Sequence, residues 1–353
     1  MLKNLIDRLL CPECAPMVTT LTLHDFADQG GVHVEAGVLC CQRCARGFVI
    51  DNGVLELQCD GLRDDAARAS FANRFESDLR QRGLLEVLRT KSSNGAAGDE
   101  GLADQIKQRN HFDWYAENDT QSYSEYQRTP FWTACDEQVL ARWRPLMRDD
   151  GWVLDLGCAD GRGGFQFLER SKRILVGFDV SRKMVERAAA RAKAEGSYDR
   201  CAFLVADANS PPFKDQSFDY AVTYGVLHHL PDPGRSCREI QRLLKVGGIH
   251  FALENNKTMF RPIFDLLMKL RPIWTEEAGN EPLISEAMVK DWIQGLSVKL
   301  TTTTMVFLPP HLLNLVGHAG ARKLLGATDA FFSRVPLLGG QGGEIVIEVQ
   351  KTA

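Results

Sequence analysis

The sequence predicts an α/β fold, with a doubly wound, mostly parallel seven-stranded sheet following a small N-terminal unit. The main observation is an alternation of strand and helix patterns after residue 150, which is typical of crossover connections between parallel strands. Strands are predicted near 152–156, 173–178, 202–206, 217–223 and 248–253, and helices near 162–170, 182–194 and 235–244. Two later strand patterns, "VKLTTTTMVFL" and "GEIVIEVQK", bring the number of strands to seven.

The length of 353 residues predicts more than one domain. Residues 1–60 carry two Cys-x-x-Cys pairs and are predicted to form a zinc ribbon. Residues 61–130 are predicted to be a helical connector, with a flexible, glycine-rich linker near 90–102. The α/β domain then spans 131–353, with helical insertions near 258–295 and 309–336 before the last two strands.

The composition is that of a globular protein, with 44% hydrophobic and 25% charged residues. A formal net charge of −4 gives no electrostatic footprint for nucleic acid or for an anionic membrane. The N-terminus lacks the apolar run of a signal peptide, and no stretch is long enough to span a bilayer. We therefore expect a cytoplasmic protein, in which the ten cysteines are metal ligands and buried thiols rather than disulfides.

The first strand of the α/β domain enters the glycine-rich loop "VLDLGCADGRGG", residues 153–164. Two carboxylates, Asp155 and Asp160, disfavour a pyrophosphate ligand and favour one that is cationic at the strand end. A dinucleotide loop would need G-x-G-x-x-G, but starting at Gly157 places Ala159 and Arg162 at the second and third glycines. Asp160 is also compatible with a simple turn residue.

The following strands also end in polar residues. Asp179 ends the second strand, where an acidic residue commonly accepts hydrogen bonds from ribose hydroxyls, and Asp207 ends the third. The fourth strand brings Thr223, Tyr224 and Gly225 to the same edge of the sheet. These four strand ends predict one ligand site along the carboxyl edge.

The order and spacing of these motifs, over about residues 130–255, resemble class I S-adenosylmethionine (SAM) methyltransferases of the type-11, small-molecule group. The resemblance implies that SAM is the cofactor. It places Asp155, Gly157, Cys158 and Gly161 at the methionine part, Asp179 at the ribose, Asp207 with Ala208 at the adenine, and Tyr224 near the sulfonium, with Val180 also in the cofactor site. Ala159 stands where the family usually has a second glycine, and we expect this change to be tolerated.

His228 and His229, after the fourth strand, are the candidate catalytic bases, because a protonated nucleophile needs a base whose pKa is near neutrality. The alternative is that one histidine of "LHHL" only packs or orients its neighbours. Glu254, His111 and Tyr126 are weaker candidates for the base.

The acceptor is expected to be a small molecule. "NSPPF", residues 209–213, is similar to the motif of methyltransferases that act on amino nitrogen, but it follows strand three instead of strand four. Oxygen or carbon acceptors therefore fit better. The apolar insertions either cover the sheet edge or form a lid over an apolar or aromatic acceptor, such as a quinone, polyketide or lipid intermediate.

Cys11, Cys14, Cys41 and Cys44 have the spacing of a closed, structural zinc site, and redox Cys-x-x-Cys pairs are the alternative. Residues 5–57 resemble the zinc-ribbon activator family of tRNA and release-factor methyltransferases, through the run C-x-x-C-x-R-x-F-x-I-x-x-G. In that family the ribbon is a separate partner, whereas here it would be fused to the enzyme. Through Asp60 the ribbon has four basic and eight acidic residues, which makes nucleic acid an unlikely ligand. It is expected to be structural or to dock a protein partner.

Two other functions stay open at this stage. A zinc ribbon before a SAM domain also resembles bacterial rRNA guanine methyltransferases, so an RNA substrate recognised by the ribbon is the first alternative. A non-catalytic SAM-binding scaffold is the second, because fold alone does not establish catalysis. The sequence also leaves open whether the chain is a homo-oligomer.

Overall fold

The computed structural model describes residues 1–26, 30–89, 100–118, 127–273 and 282–353, the side chains of residues 100 and 101 excepted. Most of the linker predicted near 90–102 and the candidate base Tyr126 lie outside these described residues. The positions predicted to hold SAM, the two candidate histidines and the four cysteines all lie within them.

Eleven strands of the described residues form one sheet, in the order β1-β2-β3-β4-β7-β6-β5-β8-β9-β11-β10. Their bounds are β1 Leu21–Asp25, β2 Ala36–Cys41, β3 Gly47–Asp51, β4 Val54–Glu56, β5 Trp152–Leu156, β6 Ile174–Asp179, β7 Cys201–Val205, β8 Phe218–Tyr224, β9 Leu244–Asn255, β10 Val298–Met305 and β11 Glu344–Lys351.

The α-helices are α1 Asp65–Arg74, α2 Glu76–Gln81, α3 Leu85–Arg89, α4 Glu100–Asn118, α5 Pro130–Trp143, α6 Arg162–Phe165, α7 Arg182–Ala194, α8 Pro233–Leu243, α9 Arg261–Leu270, α10 Glu286–Trp292, α11 Pro310–Leu315 and α12 Gly317–Phe332. Short 3-10 helices span Lys3–Arg8, Arg144–Leu146, Tyr198–Arg200 and Leu227–His229. In the part of the chain that is described, no helix combines the length and apolar character needed to cross a membrane.

The predicted fold class is confirmed. Strands β7, β6, β5, β8 and β9 are parallel to one another, and β11 pairs antiparallel with both β9 and β10, which completes the seven expected strands. The five parallel strands are almost wholly buried, because helices cover both faces of the sheet. Their carboxyl ends therefore meet at one edge, where a crevice can form.

The N-terminal unit continues this sheet. Strand β4 pairs in parallel with β7, in the register Val54↔Phe203 to Glu56↔Val205, so that β1–β4 extend the seven strands to eleven. The pairing provides hydrogen-bond partners for backbone N–H and C=O groups that would be unpaired if β7 were an edge strand. Across the junction, the buried Arg182 guanidinium donates to Glu56 Oε2 at 2.6 Å. The N-terminal unit therefore has a built-in structural connection to the α/β domain.

Helix α4 packs over the carboxyl edge of the sheet. Its Asp113 Oδ1 accepts a hydrogen bond from Ser181 Oγ, the N-cap of α7, at 2.6 Å. Its Gln105 Nε2 donates to Asp207 Oδ1 at 2.7 Å. These contacts place α4 over the ends of β6 and β7, so a part of the predicted connector forms a wall of the site.

Candidate active site

A cavity of about 560 Å³ lies at the carboxyl ends of the parallel strands, between the sheet and α4. The predicted site residues that line it are Gly157, Asp179, Val180, Asp207, Ala208, Tyr224, His228 and His229. The weaker candidates His111 and Glu254 also line it. Sequence reasoning therefore located the strand-end wall of this cavity.

Three predicted residues of the glycine-rich loop lie behind that wall. The Asp155 carboxylate is buried and accepts a hydrogen bond from the Gly164 backbone N–H at 2.9 Å. Burial raises the pKa of Asp155 to about 7, and this backbone donor opposes the rise. Cys158 is buried against β6, and Gly161 is at φ +90°, where an added Cβ would meet the Phe165 ring at 2.1 Å. These residues shape the loop, and none of them is among the residues that line the cavity.

Ala159 shows why its position usually holds glycine. Its φ of +43° is in the left-handed region, which costs an L-residue about 1–2 kcal/mol. Its backbone N–H donates to Asp179 Oδ2 at 3.0 Å, and this hydrogen bond holds the loop beside β6. Ala159 is among the residues that line the cavity.

Two carboxylates stand side by side along the strand ends. Asp179 accepts backbone hydrogen bonds from Ser181 at 2.9 Å and from Ala159. Burial raises its pKa, although both backbone donors oppose that effect. Asp207 Oδ1 accepts from the Asn209 backbone N–H at 2.8 Å and from Gln105. Both carboxylates are therefore held in fixed positions at the cavity wall, where they can accept hydrogen bonds from a ligand.

Tyr224 belongs to a charged and aromatic cluster that the sequence did not predict. Its hydroxyl donates to Asp136 Oδ1 on α5, and burial, followed by the negative charge of Asp136, raises the pKa of the phenol. Arg162, the first residue of α6, donates to the same Asp136 oxygen at 2.9 Å. The guanidinium lies 4.4 Å from the centre of the Trp132 ring. Arg162 and Trp132 both line the cavity, where they add a cation and an apolar face.

His228 forms a hydrogen-bonded pair with Glu254 at the end of β9. The His228 Nδ1 and Glu254 Oε2 atoms are 2.6 Å apart, and both side chains are buried. The other carboxylate oxygen, Oε1, accepts from the backbone N–H groups of Val226 at 3.0 Å and Leu227 at 2.8 Å. The carboxylate therefore fixes both the imidazole and the turn that carries it.

His229 has a different environment. Its ring centre lies 4.1 Å from that of His228 and 5.6 Å from the Phe112 ring of α4, which it meets edge to face. Phe112 lies in α4, within the predicted connector, and its side chain also lines the cavity.

Glu344, the first residue of β11, is a site residue that sequence reasoning missed. Its side chain lines the cavity and is 7% exposed, and burial raises its pKa to about 8, with the nearby Glu254 charge adding to the rise. Antiparallel pairing places Glu344 opposite Asn255 and thus beside the end of β9. Because 88 residues separate Glu344 from Asn255 in the chain, only the sheet topology reveals this contact.

The four predicted cysteines meet in the N-terminal unit. The sulfur atoms of Cys11, Cys14, Cys41 and Cys44 all lie within 4.8 Å of one another. The Cys11–Cys44 and Cys14–Cys41 sulfur distances are 3.6 and 3.9 Å. Tetrahedral zinc with bonds of about 2.3 Å requires sulfur atoms about 3.8 Å apart, so the cluster fits that ion. Cys40 lies outside the cluster, and its side chain packs towards α1–α3.

The chemical groups that line the cavity also fit SAM. Carboxylates at the ends of β6 and β7 suit hydroxyl and amino donors, and the Arg162 guanidinium suits the carboxylate of a methionine moiety. The apolar faces of Phe178, Val180 and Ala208 border the same space, as an adenine ring requires. The site therefore matches the polar and apolar parts expected of that cofactor.

Comparison with known proteins identifies a family for the central part of the chain. Residues 154–252 match the family described as a methyltransferase domain. A 27-O-demethylrifamycin SV methyltransferase of Amycolatopsis mediterranei is 37% identical over 109 residues, which cover 31% of this chain and 40% of that protein. A ubiquinone/menaquinone biosynthesis C-methyltransferase of Bartonella henselae is 28% identical over 191 residues, covering 51% of this chain and 70% of that protein.

Among solved structures, the chain is similar to one from a complex between the Haloferax volcanii Trm112 methyltransferase activator and a methyltransferase. The TM-score is 0.47 and the identity is 18%, over 70% of this chain and 98% of that chain. The first of the curated relatives is matched over less than half of its own length.

Proposed function

We propose that this chain, which contains a SAM-dependent methyltransferase domain in residues 154–252, methylates an oxygen or carbon atom of a small apolar or aromatic acceptor. The observation that carries this proposal is the His228–Glu254 pair at 2.6 Å, which borders the same cavity as the strand-end carboxylates. A base and a cofactor site would thereby share one enclosed space.

The cofactor would lie along the ends of β5–β8. Asp179 would accept from the ribose hydroxyls, with Val180 beside it, and Asp207 and Ala208 would border the adenine. Gly157 would allow close approach to the methionine part, Arg162 would bind its carboxylate, and Tyr224 would face the sulfonium. Asp155, Cys158 and Gly161 would act by shaping the loop, with Asp155 in reach of the ammonium only through water.

When bound, SAM supplies an electrophilic methyl group, and its sulfur retains the electron pair of the broken C–S bond. For a hydroxyl acceptor, His228 would take the proton as the new O–C bond forms. The Glu254 carboxylate at Nδ1 would offset the positive charge that the imidazole gains. His229 would pack between His228 and Phe112 and help to exclude water.

The four-cysteine cluster would hold a structural zinc ion. Zinc would join the loop after the first 3-10 helix to the turn between β2 and β3 and so stabilise the strands that pair with β7. None of the four cysteines is among the residues that line the cavity, so the ion would have a structural role and not a role in methyl transfer.

The cofactor assignment is tested by calorimetry and thermal shift with SAM, S-adenosylhomocysteine (SAH) and NAD, on protein assayed for zinc. We expect SAM and SAH to bind and NAD not to bind. Protein that binds neither SAM compound contradicts the proposal.

The acceptor class is tested with methyl-labelled SAM, by comparing alkylphenols and hydroquinones with tRNA and rRNA. Label in the phenolic compounds supports the proposal. Salt-sensitive labelling of RNA alone supports the RNA alternative, and SAM binding without transfer to either class supports the scaffold.

A further inference from the structure

A second cavity, of about 170 Å³, adjoins the first beneath α9. The two cavities share the residues Asn255, Arg261 and Glu344 in their walls, so they meet at the start of β11. The second cavity is mainly apolar and is bordered by Phe131, by Ile263 and Phe264 of α9, and by the segment that follows β10. Both predicted insertions contribute to this wall.

The size of this cavity matches one ring. An apolar protein cavity of about 150 Å³ stays dry and binds a molecule of benzene. Since the polar groups of SAM are proposed to lie along β5–β8, no apolar part of SAM would extend beyond Glu344 into the second cavity. The second cavity therefore suits an apolar part of the other substrate.

Glu344 provides a second observation at the junction of the two cavities. The residue is 7% exposed and lines both cavities, and the described residues donate no hydrogen bond to its carboxyl group. A buried carboxyl group without a protein donor is costly unless a ligand or water supplies the missing partner. The junction is therefore suited to a polar substituent next to an apolar one.

The wall opposite α9 is held in a strained conformation. Val306, a β-branched residue, has φ +69°, and its backbone N–H donates to the buried Asp329 Oδ1 at 3.0 Å. Its carbonyl accepts from Gly343 at 2.8 Å. Strain of this kind persists only where surrounding contacts impose it, and it is common at ligand sites.

We propose that the second cavity is the acceptor subsite, which binds an apolar group the size of one aromatic ring while the atom to be methylated lies near His228. This inference rests on the proposed methyltransferase function and narrows its substrate class. Acceptors with a ring or short chain beyond the reacting group would be preferred to compact acceptors.

The test uses two probes, phenol and 4-phenylphenol, titrated by calorimetry into SAH-loaded full-length protein. The second ring should strengthen binding about ten- to a hundred-fold, as expected for burying a phenyl-sized group. Equal affinities, or no binding of 4-phenylphenol, would overturn the subsite. Failure of SAH itself to bind would instead count against the proposed function.

Two variants narrow the cavity from opposite walls. Ile263→Trp changes a half-exposed residue of α9, and Gly343→Val adds a side chain where a Cβ would have its nearest neighbour at 3.4 Å. Each should remove most of the preference for 4-phenylphenol without changing SAH affinity. The unchanged SAH affinity also shows that the variant is folded.

Leu266→Trp is the matched control. Leu266 lies on the same helix outside the cavity wall, and its exposure of 57% is close to the 56% of Ile263. An unchanged preference in both narrowing variants, or an equal loss in the control, would overturn the proposal.

Discussion

Glu254 Oε2 lies 2.6 Å from His228 Nδ1, while Oε1 of the same carboxylate accepts from two backbone N–H groups of the turn that carries His228. One buried side chain at the end of β9 thus orients the candidate base and the loop around it. A carboxylate in this position also favours the protonated imidazole that proton transfer would create.

Glu254→Gln should therefore lower kcat about 100-fold, the lower end of the usual contribution of a general base, because the amide cannot balance the imidazolium charge. SAH affinity should change little, since the amide oxygen can still accept from the turn. Steady-state rates and SAH calorimetry check both parts. The control is Glu348→Gln, at a carboxylate on β11 that pairs with Arg142. A loss of less than about three-fold in Glu254→Gln would refute the base assignment.

Asp179→Asn should weaken SAH binding about 10- to 100-fold, because hydrogen bonds to a charged group contribute about 1.5–3 kcal/mol. Calorimetry measures the change, and circular dichroism verifies the fold. The exposed Asp199→Asn serves as the control. Unchanged affinity in Asp179→Asn would exclude the ribose assignment.

Glu344→Gln should alter how stability depends on pH. The pKa of Glu344 is raised from 4.5 to about 8, so between these values the folded chain binds more protons than the unfolded chain and loses stability as pH rises. The loss begins near pH 4.5, so the free energy of unfolding of the variant should exceed that of the wild type at both pH 6 and pH 8.5, and the difference should be about 2–3 kcal/mol larger at pH 8.5. Urea unfolding at both pH values gives the free energies of unfolding.

The neighbouring charges at Glu344 are Glu254, His228, Arg162 and Arg261, and the substitution leaves them in place. Glu286→Gln is the control, because that carboxylate is half-exposed, pairs with Lys290 and has a lowered pKa. A stability difference between wild type and Glu344→Gln that does not vary with pH would show that Glu344 is ionised in the folded chain.

Cys14→Ser should reduce bound zinc well below one ion per chain and lower the thermal unfolding temperature, since zinc binding contributes to folding. Elemental analysis and calorimetric unfolding measure the two effects. Cys40→Ser is the matched control, because Cys40 is a buried neighbour of Cys41 that lies outside the cluster. Full zinc content and an unchanged melting temperature in Cys14→Ser would rule out a structural site.

The sequence by itself determined the parts of this protein that are local in the chain. Strand and helix periodicity predicted the seven strands of the α/β domain. Strand-end residues such as Asp179 and Asp207 indicated where the cavity lies, because parallel strands present their carboxyl ends at one edge. The spacing of paired cysteines likewise predicted the cluster around Cys14. In each case the sequence pattern either lies within a few neighbouring residues or recurs at the end of every strand.

Only the tertiary structure decided the contacts between distant segments. Pairing of β4 with β7 extends the sheet into the N-terminal unit, antiparallel β11 carries Glu344 to the end of β9, and α5 brings Asp136 to Arg162. No periodicity or spacing encodes these contacts, because each depends on which edge or face is left to be covered once the central sheet has formed.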